Sequence, residues 1–421
     1  MSEPGLASSQ PLDQDGRLLF ATRTLRLLAY GFLSVVLVLY LDRLGLGETQ
    51  IGLLLTLTLV GDTLISLWIT TNADRFGRRR MLVLGAGLMV LAGVLFAITH
   101  NFYLLLLAAT VGVISPSGYE VGPFLPVEQA ALTQLLPAER RTQVFAWYNL
   151  VGSFATALGA LLSGGLSQVL QNRGWVPLTS YRVVLLGYAG LGLLLLFLFL
   201  QLTPKIEARP TLESERQQTL KANWLGLHRS RGIVLRLSAL FSLDAFGGGF
   251  IIQSFLAYWF HLRFGVEPAL LGSIFFGANL LAGVSALSAA WVARRVGLVN
   301  TMVFTHLPSN VLLMFVPLMP NLPAAIALLL VRFSISQMDV PTRQSYIMAV
   351  VEPDERSAAA GVTGMARTIG ASLAPIFTGA LLSHPALFGA PFWISGGLKI
   401  IYDLSLYSGF RSIKPPEEQR D

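Results

Sequence analysis

The chain has 421 residues, of which 53% are hydrophobic and only 13% are charged, and its formal net charge is +7. Soluble domains carry about 25% charged residues, so this composition predicts a protein that is largely dissolved in lipid. In such a protein the positive charge reports membrane topology, and nucleic acid is not expected as a partner. The absence of cysteine excludes disulfides, thiol catalysis and cysteine-ligated metal sites.

The N-terminal tail, predicted over residues 1–17, is polar and acidic and lacks the basic and apolar regions of a cleavable signal peptide. We expect this tail in the cytoplasm and insertion through the first apolar run. A helix needs roughly 20 apolar residues to cross a bilayer core of ~30 Å. Such runs predict twelve spans, numbered 1 to 12, at 18–41, 49–71, 81–99, 102–127, 142–167, 182–203, 232–259, 269–291, 299–318, 323–345, 358–382 and 389–409.

A tight basic turn separates spans 2 and 3. It reads Asn-Ala-Asp-Arg-Phe-Gly-Arg-Arg-Arg over residues 72–80. Arginines beside a span are costly to move across the bilayer, so this turn is predicted to face the cytoplasm. Gly77 permits a sharp reversal of the chain, and Asp74 is placed to interact with a helix N-terminus or with an arginine.

The longest polar stretch between spans divides them six and six. An even number of spans puts both termini on one side, and placing that side in the cytoplasm assigns most lysines and arginines to it. We therefore predict an N-terminal half at 18–203, a cytoplasmic linker at 204–231, a C-terminal half at 232–409 and a cytoplasmic tail at 410–421.

The two halves repeat a pair of short motifs. Pro-Val-Glu-Gln at 126–129 and Pro-Ala-Glu-Arg at 137–140 are echoed by Pro-Thr-Arg-Gln at 341–344 and Pro-Asp-Glu-Arg at 353–356. Duplicated halves are the structural basis of rocking transporters. With twelve spans, a central linker and these loop motifs, the chain resembles the major facilitator superfamily over nearly its whole length.

The family pattern between spans 2 and 3, Gly-x-Leu-Ala-Asp-Arg-x-Gly-Arg-Arg-Arg, is matched at 73–75 and 77–80, whereas Thr70 and Asn72 depart from it. The resemblance implies an all-α membrane protein with twelve transmembrane helices in two pseudo-symmetric six-helix halves, working as a monomer without a cofactor. It also implies that loop residues at the cytoplasmic ends act as a gate. These residues are Asp74, Arg75, Gly77, Arg78, Glu139, Arg140, Glu355 and Arg356.

Within this gate, Asp74 is expected to contact the positive N-terminal end of span 11, near Ser357 and Ala358, when the protein faces outward. This contact would hold the cytoplasmic ends of the halves together. The alternative is that the charged residues of the loop only enforce topology.

Charged residues inside spans cost at least ~2.5–3.5 kcal/mol each at a helix centre by insertion scales, so each needs an explanation. Spans 1, 4, 7 and 10 of the family fold line its cavity. This makes Asp244, Glu120 and Arg332 the candidates for binding substrate or a coupling proton. A permanent ion pair between Asp244 and Arg332 is the alternative.

Two further intramembrane charges lie on spans that pack together across the halves in this fold. Asp62 on span 2 and Arg367 on span 11 are at similar depth, which predicts an inter-half ion pair that opens and closes as the halves rock. The competing explanation is that the two side chains are buried polar groups with satisfied partners and have no role in gating. Lys399 is followed one helical turn later by Asp403, so we predict a structural pair there and leave it out of the site.

No nucleophile–base set or metal motif is visible and the five histidines are scattered, so neither an enzyme nor a metal site is expected. The leading interpretation is a multi-pass secondary transporter of a cell membrane. It would export small organic or amphipathic compounds by proton-coupled, rocker-switch alternating access, so its partners are the bilayer, a small-molecule substrate and protons. One alternative is an organic-anion carrier working by exchange or uptake through Arg332 and Arg367. A non-transporting membrane sensor is an alternative of another class.

Overall fold

A computed structural model describes residues 12–120, 122–208 and 227–413, which form α-helices, short 3-10 turns and loops without a strand. Parts of three predicted regions lie outside the described residues: 1–11 of the N-terminal tail, 209–226 of the linker and 414–421 of the C-terminal tail. The side chain of Glu139 also lies outside them.

The N-terminal half consists of six helices or helix pairs that follow predicted spans 1 to 6 in order. Gly77 adopts φ 100° and allows the turn from span 2 into span 3, as the sequence predicted. The helices are Gln14–Ser34 with Leu37–Arg43 for span 1, Glu48–Phe76, Arg78–Ile98, Phe102–Val111 with Phe124–Leu135 for span 4, Ala138–Asn172 and Pro177–Leu200.

The C-terminal half repeats this order for spans 7 to 12. Gly297, at φ 87°, makes the turn from span 8 into span 9 and so corresponds to Gly77. The helices are Arg231–Gly249 with Gln253–Phe264 for span 7, Pro268–Val296, Leu298–Phe315, Leu322–Ile335 with Asp339–Val350 for span 10, Arg356–Leu382 and Ala390–Phe410.

Fewer than twelve of the described helices are long and apolar enough to cross a membrane. Nine helices of the described chain are long and apolar enough to cross a bilayer, and span 1, bent by 40°, makes a tenth if its two helices count as one crossing. The helices of span 4 have only 10 and 12 residues. Span 12, which contains Lys399 and Asp403, is also outside this set.

Four spans are interrupted, and they occupy equivalent places in the two halves. Span 1 breaks at 35–36 and span 4 breaks after Val111, while spans 7 and 10 break at 250–252 and 336–338. Non-helical backbone at membrane depth is tolerated only where it is buried in protein or lines a cavity. The breaks therefore mark the part of the bundle where a binding site can form.

The halves approach each other most closely at one end of the bundle. We call the end that carries residues 72–80 the motif end and the opposite end the far end. At the far end, a Cβ added to Gly52 would lie 2.6 Å from the carbonyl oxygen of Pro375, and one added to Gly164 would lie 2.2 Å from that of Pro268. Gly379 and Gly272 face these two glycines, so backbone packs directly on backbone between spans 2 and 11 and between spans 5 and 8.

Hydrogen bonds between the halves also lie toward the far end. Gln253 Nε2 donates to Ser34 Oγ at 2.7 Å, and Ser254 Oγ donates to the carbonyl oxygens of Ser34 and Pro116 at 2.8 and 2.5 Å. Tyr258 donates to Asp42 on span 1 at 3.0 Å. Because the far end is sealed by these contacts, the described chain is in a conformation closed at that end.

Candidate functional site

The basic turn at the motif end is tied to its own half. Arg78 Nε lies 2.7 Å from Asp74 Oδ1, and Arg78 Nη1 donates to the carbonyl oxygen of Ile206 at 3.1 Å. Glu207 accepts from the backbone N–H of Arg78 at 2.6 Å and from that of Arg79 at 3.3 Å, so it caps the start of span 3. Glu207 could not be identified from the sequence because it lies 129 residues from Arg78 along the chain.

The expected contact of Asp74 with the start of span 11 is not formed in this conformation. Among the described residues, no hydrogen bond or ion pair joins Asp74 to Ser357 or Ala358, and the Asp74 side chain is 66% exposed. The halves meet at the far end here, whereas the predicted contact belongs to the conformation closed at the motif end. The gating role of Asp74 therefore stays a prediction.

Glu355, in the second copy of the loop motif, is buried against the start of span 7, and its predicted gating role stays a prediction. Its side chain is 1% exposed and accepts from the backbone N–H groups of Arg229 and Ser230, each at 2.8 Å. It also accepts from His228. Glu355 thus caps the start of span 7 within its own half, while the neighbouring Arg356 is exposed.

Asp74→Asn is expected to abolish transport while leaving insertion and folding intact. Arg78 is buried, but the Asp74 side chain is 66% exposed, and an i,i+4 pair open to solvent on one side contributes only about 0.3–0.5 kcal/mol to stability, so its loss does not unfold the protein. The conformation closed at the motif end, in contrast, would lose the carboxylate that faces the helix N-terminus. Flux in proteoliposomes and thermal unfolding in detergent measure the two effects, and normal flux in the variant would reject the gating role.

A buried cluster of charges lies at mid-depth in the N-terminal half. Arg26 is fully buried and makes a bidentate pair with Glu128, with both N–O distances at 2.7 Å. Glu120, in the break of span 4, accepts from Arg26 Nε at 2.8 Å and from Arg23 Nη1 at 2.6 Å. Tyr148 on span 5 donates to Glu128. Two arginines and two glutamates therefore neutralise one another across spans 1, 4 and 5.

This cluster changes the interpretation of Glu120. As a candidate for substrate or proton binding it was expected to lie in a cavity wall, but here both of its oxygens are paired with arginines. Arg23 and Arg26, which hold Glu120 here, were not among the predicted site residues. Their spacing of three residues, which places them on one helix face within the apolar run 18–41, was the available signal.

A second cluster surrounds Asp244 in the C-terminal half. Asp244 is 3% exposed, and its Oδ1 lies 2.6 Å from Lys399 Nζ. Its Oδ2 lies 3.3 Å from Arg343 Nη1 and 3.2 Å from Arg367 Nη1. His306 Nε2 lies 3.7 Å from Oδ1. One aspartate of span 7 thus joins cations from spans 10, 11 and 12 and a histidine from span 9.

Two more aspartates complete this Asp244 cluster. Asp339 pairs with Arg343 at 3.0 Å, and Asp403 accepts from Asn310 Nδ2 at 2.9 Å. His306 Nδ1 lies 2.8 Å from Asp403 Oδ1, so the imidazole stands between two carboxylates. Three carboxylates therefore face three cations and one histidine in the cluster.

Three predicted pairings are corrected for this conformation. Arg367 pairs with Asp244 instead of Asp62, and Asp62 Oδ2 accepts from the backbone N–H of Gly122 at 3.1 Å. Lys399 pairs with Asp244 instead of Asp403. The physical reason is the same in both cases: Asp244 lies at the meeting point of spans 7, 11 and 12, within ion-pair distance of both Arg367 and Lys399, and a buried charge is stable only where it is paired.

The third correction concerns Arg332, for which an ion pair with Asp244 had been the alternative. No ion pair of Arg332 is present among the described residues, and its Nε has no hydrogen-bond partner although the residue is only 8% exposed. Tyr119 of the N-terminal half and Asp339 interact with it electrostatically. Arg332 is thus a buried guanidinium with unused hydrogen-bonding capacity on an interrupted span.

Two helical halves with interrupted helices and buried charge clusters at mid-depth are the architecture of a secondary membrane transporter. The chain belongs to the Major Facilitator Superfamily, whose sequence pattern matches residues 19–375. This membership confirms the predicted family and the predicted all-α fold of two halves, and it identifies a multi-pass membrane protein.

Several known proteins are similar to the chain. The uncharacterized membrane protein YJR124C of Saccharomyces cerevisiae is 32% identical over 426 residues, which cover 95% of each chain. Quinolone resistance protein NorA of Staphylococcus aureus is 25% identical over 222 residues, or 52% of this chain and 53% of NorA.

Solved structures share the fold at low sequence identity. A D-xylose-proton symporter aligns with a TM-score of 0.71 and 17% identity over 93% of this chain and 97% of its own. The human organic anion transporter MFSD10 aligns with a TM-score of 0.64 and 19% identity, covering 94% of this chain and all (100%) of its own.

Proposed function

We propose that this secondary transporter exports small organic or amphipathic compounds in exchange for protons. The observation that carries the proposal is the Asp244 cluster, in which a buried carboxylate and a histidine stand next to three cations at mid-depth. The similarity to a quinolone resistance protein supports the class of substrate and the direction. We place the protein in a cell membrane as a monomer, with both termini and the linker at 204–231 in the cytoplasm.

The cluster suggests how a proton and a solute could compete for the same groups. All partners of Asp244 belong to the C-terminal half, so the cluster moves as one unit when the halves rock. A proton on Asp244 would weaken its pairs with Arg343 and Arg367. The Arg367 side chain is 33% exposed, which makes it the member of the cluster that a solute in the cavity can reach.

A proteoliposome assay tests the proposal. Fluorescent amphipathic cations, neutral compounds and organic anions are offered to the purified protein under an imposed pH gradient. We expect accumulation of amphipathic compounds that collapses when a protonophore removes the gradient. Flux that does not depend on the pH gradient would contradict proton coupling. An absence of flux for every compound would favour the alternative of a non-transporting membrane sensor.

A second candidate function is transport of organic anions, and Arg332 is the observation that favours it. Its unpartnered Nε lies on an interrupted span, and Tyr119 of the other half interacts with it electrostatically. A guanidinium with free donors can bind a carboxylate or phosphate group in bidentate fashion. Arg367 would then supply a second positive charge.

Arg332→Gln distinguishes the two candidates. A hydrogen bond to a charged group contributes about 1.5–3 kcal/mol, so an anion carrier should bind its substrate about tenfold to a hundredfold more weakly in this variant. Arg332→Lys keeps the charge and serves as the control. Unchanged transport of anions by Arg332→Gln would eliminate Arg332 as the anion site, while transport of cations should be insensitive to it.

A further inference from the structure

Among the residues that the structure describes, no cation forms an ion pair with the buried carboxylate of Asp62. It lies in the middle of span 2 and is 5% exposed. One oxygen, Oδ2, accepts from the backbone N–H of Gly122 at 3.1 Å, and the other, Oδ1, is buried without a hydrogen-bond partner. Every other charge cluster described above pairs its acids with arginine or lysine, so Asp62 stands apart.

The groups that face Asp62 from the neighbouring helices confirm its isolation. Glu120 in the break of span 4 is the charged group that interacts with it electrostatically, and Tyr30 and Tyr188 on spans 1 and 6 are the titratable neutral ones. The first helix of span 4 and residues 81–98 of span 3 carry no charged residue. On span 11, Arg367 is paired with Asp244, and Arg356 is exposed at the motif end.

An isolated ionised carboxylate is far more costly to bury than a neutral carboxylic acid. A neighbouring glutamate adds repulsion to this cost, because like charges disfavour ionisation of both. In the conformation closed at the far end, the favourable state of Asp62 is therefore the protonated one. Its ionised form needs either water or a cation, and both require a rearrangement around span 2.

The position of Asp62 connects its charge to the contact between the halves. Gly122, its hydrogen-bond donor, belongs to the segment that connects the two helices of span 4. The same segment carries Glu120, held by Arg23 and Arg26, and Pro116, whose carbonyl oxygen accepts from Ser254 of the C-terminal half. A change at Asp62 acts directly on a segment that helps to seal the far end.

We propose that Asp62 is a proton-binding site of this protein: it is protonated while the far end is closed, and loss of its proton favours opening of that end. This site is separate from the Asp244 cluster and lies in the other half. Its consequence for transport rests on the proposed proton-coupled export. The effect of the Asp62 proton on the conformational equilibrium does not rest on the proposed export. Linkage requires only that the two conformations bind the proton with unequal affinity.

The test uses the natural absence of cysteine in the chain. Ser34, fully buried at the seal, is replaced by cysteine as a reporter of far-end opening. Its labelling rate is divided by that of Ser383→Cys, an exposed site at the far end, to remove the pH dependence of the thiol chemistry itself. The measurement is made in detergent without substrate or a gradient, so its outcome is independent of the transport assay.

The relative labelling rate of Ser34→Cys is expected to rise as the pH is raised from about 6 to about 9, by at most about tenfold per pH unit for one linked proton. Adding Asp62→Asn, which mimics the protonated acid and still accepts from Gly122, should hold the rate low at every pH. Adding Asp62→Glu should keep the rise but shift its midpoint.

An asparagine variant with the same pH profile as its parent would overturn the proposal. Should that variant fail to fold, the glutamate variant decides, because an unshifted midpoint in it has the same meaning. If the protein with Asp62 intact shows no proton-coupled flux but has the expected labelling profile, the proposed export is refuted and the Asp62 proton site is supported.

Discussion

Replacing Asp244 with asparagine is expected to abolish accumulation driven by a pH gradient and to lower the free energy of unfolding by about 3–5 kcal/mol. The amide keeps hydrogen-bonding capacity but has neither a charge nor an exchangeable acidic proton. Lys399 would lose the carboxylate that lies 2.6 Å from its Nζ, whereas Arg343 would keep Asp339 at 3.0 Å. Flux in proteoliposomes and thermal unfolding in detergent measure the two losses.

The double variant Asp244→Asn/Lys399→Met separates coupling from stability. It removes the orphaned lysine together with the carboxylate and keeps an unbranched side chain of similar size. Much of the cost of breaking a buried ion pair comes from the charge that is left unpaired, so most of the lost stability should return when Lys399 is removed as well. Accumulation should stay absent, while downhill exchange of substrate remains measurable.

Recovery of gradient-driven accumulation in the double variant would show that Asp244 has a structural role only. Unchanged accumulation in the single variant would have the same meaning. Because both outcomes are read against measured stability, a misfolded protein cannot be mistaken for an uncoupled one.

The fold was predictable from the sequence because lipid imposes a strong constraint on it. Apolar runs of sufficient length marked twelve segments, and each corresponds to a helix or a helix pair in the same order. Gly77 predicted the sharp turn that its φ of 100° shows. The interruptions were less visible, since the breaks in spans 1 and 10 contain no proline and the polar stretch in the middle of span 4 was predicted as part of one long crossing.

The partners of the buried charges were not predictable in the same way. Spacing along one helix suggested that Lys399 pairs with Asp403, but its partner Asp244 is 155 residues away. Depth along two spans suggested Asp62 with Arg367, yet depth does not determine which face of a helix a side chain occupies. Identifying a pair requires the rotation of each helix about its axis, which comes from packing within the folded bundle.

The conformation of the bundle was also not predictable from the sequence. The gating prediction for Asp74 concerns the state closed at the motif end, while the described chain is closed at the far end through Ser34, Gln253 and Tyr258. One amino-acid sequence specifies both states of a rocking transporter. Which contacts form therefore depends on the state.

Gly164→Leu is expected to stop transport by preventing closure of the far end. A Cβ at Gly164 would lie 2.2 Å from the carbonyl oxygen of Pro268 and 2.8 Å from the Cα of Gly272. Both obstacles are backbone atoms, which cannot move aside as a flexible side chain would. Gly379→Leu should act in the same way at the other close contact, where its Cβ would lie 2.2 Å from the carbonyl oxygen of Glu48.

The neighbouring glycine provides a matched control. Nothing lies within 4 Å of a Cβ added to Gly165, so Gly165→Leu adds the same side chain to the same helix without an obstacle. Flux should fall to background in Gly164→Leu and stay near the parent level in Gly165→Leu. Both proteins should insert and fold, because the clash exists only in the conformation closed at the far end.

Labelling of Ser34→Cys shows whether the loss has this cause. Overpacking costs typically about 1–3 kcal/mol, and more where backbone must move, which is enough to shift a two-state equilibrium by about tenfold to a hundredfold. The reporter should therefore label faster in Gly164→Leu than in Gly165→Leu. Slow labelling together with lost flux would mean that the leucine blocks something other than closure, and normal flux would mean that the halves need no such close approach to complete a cycle.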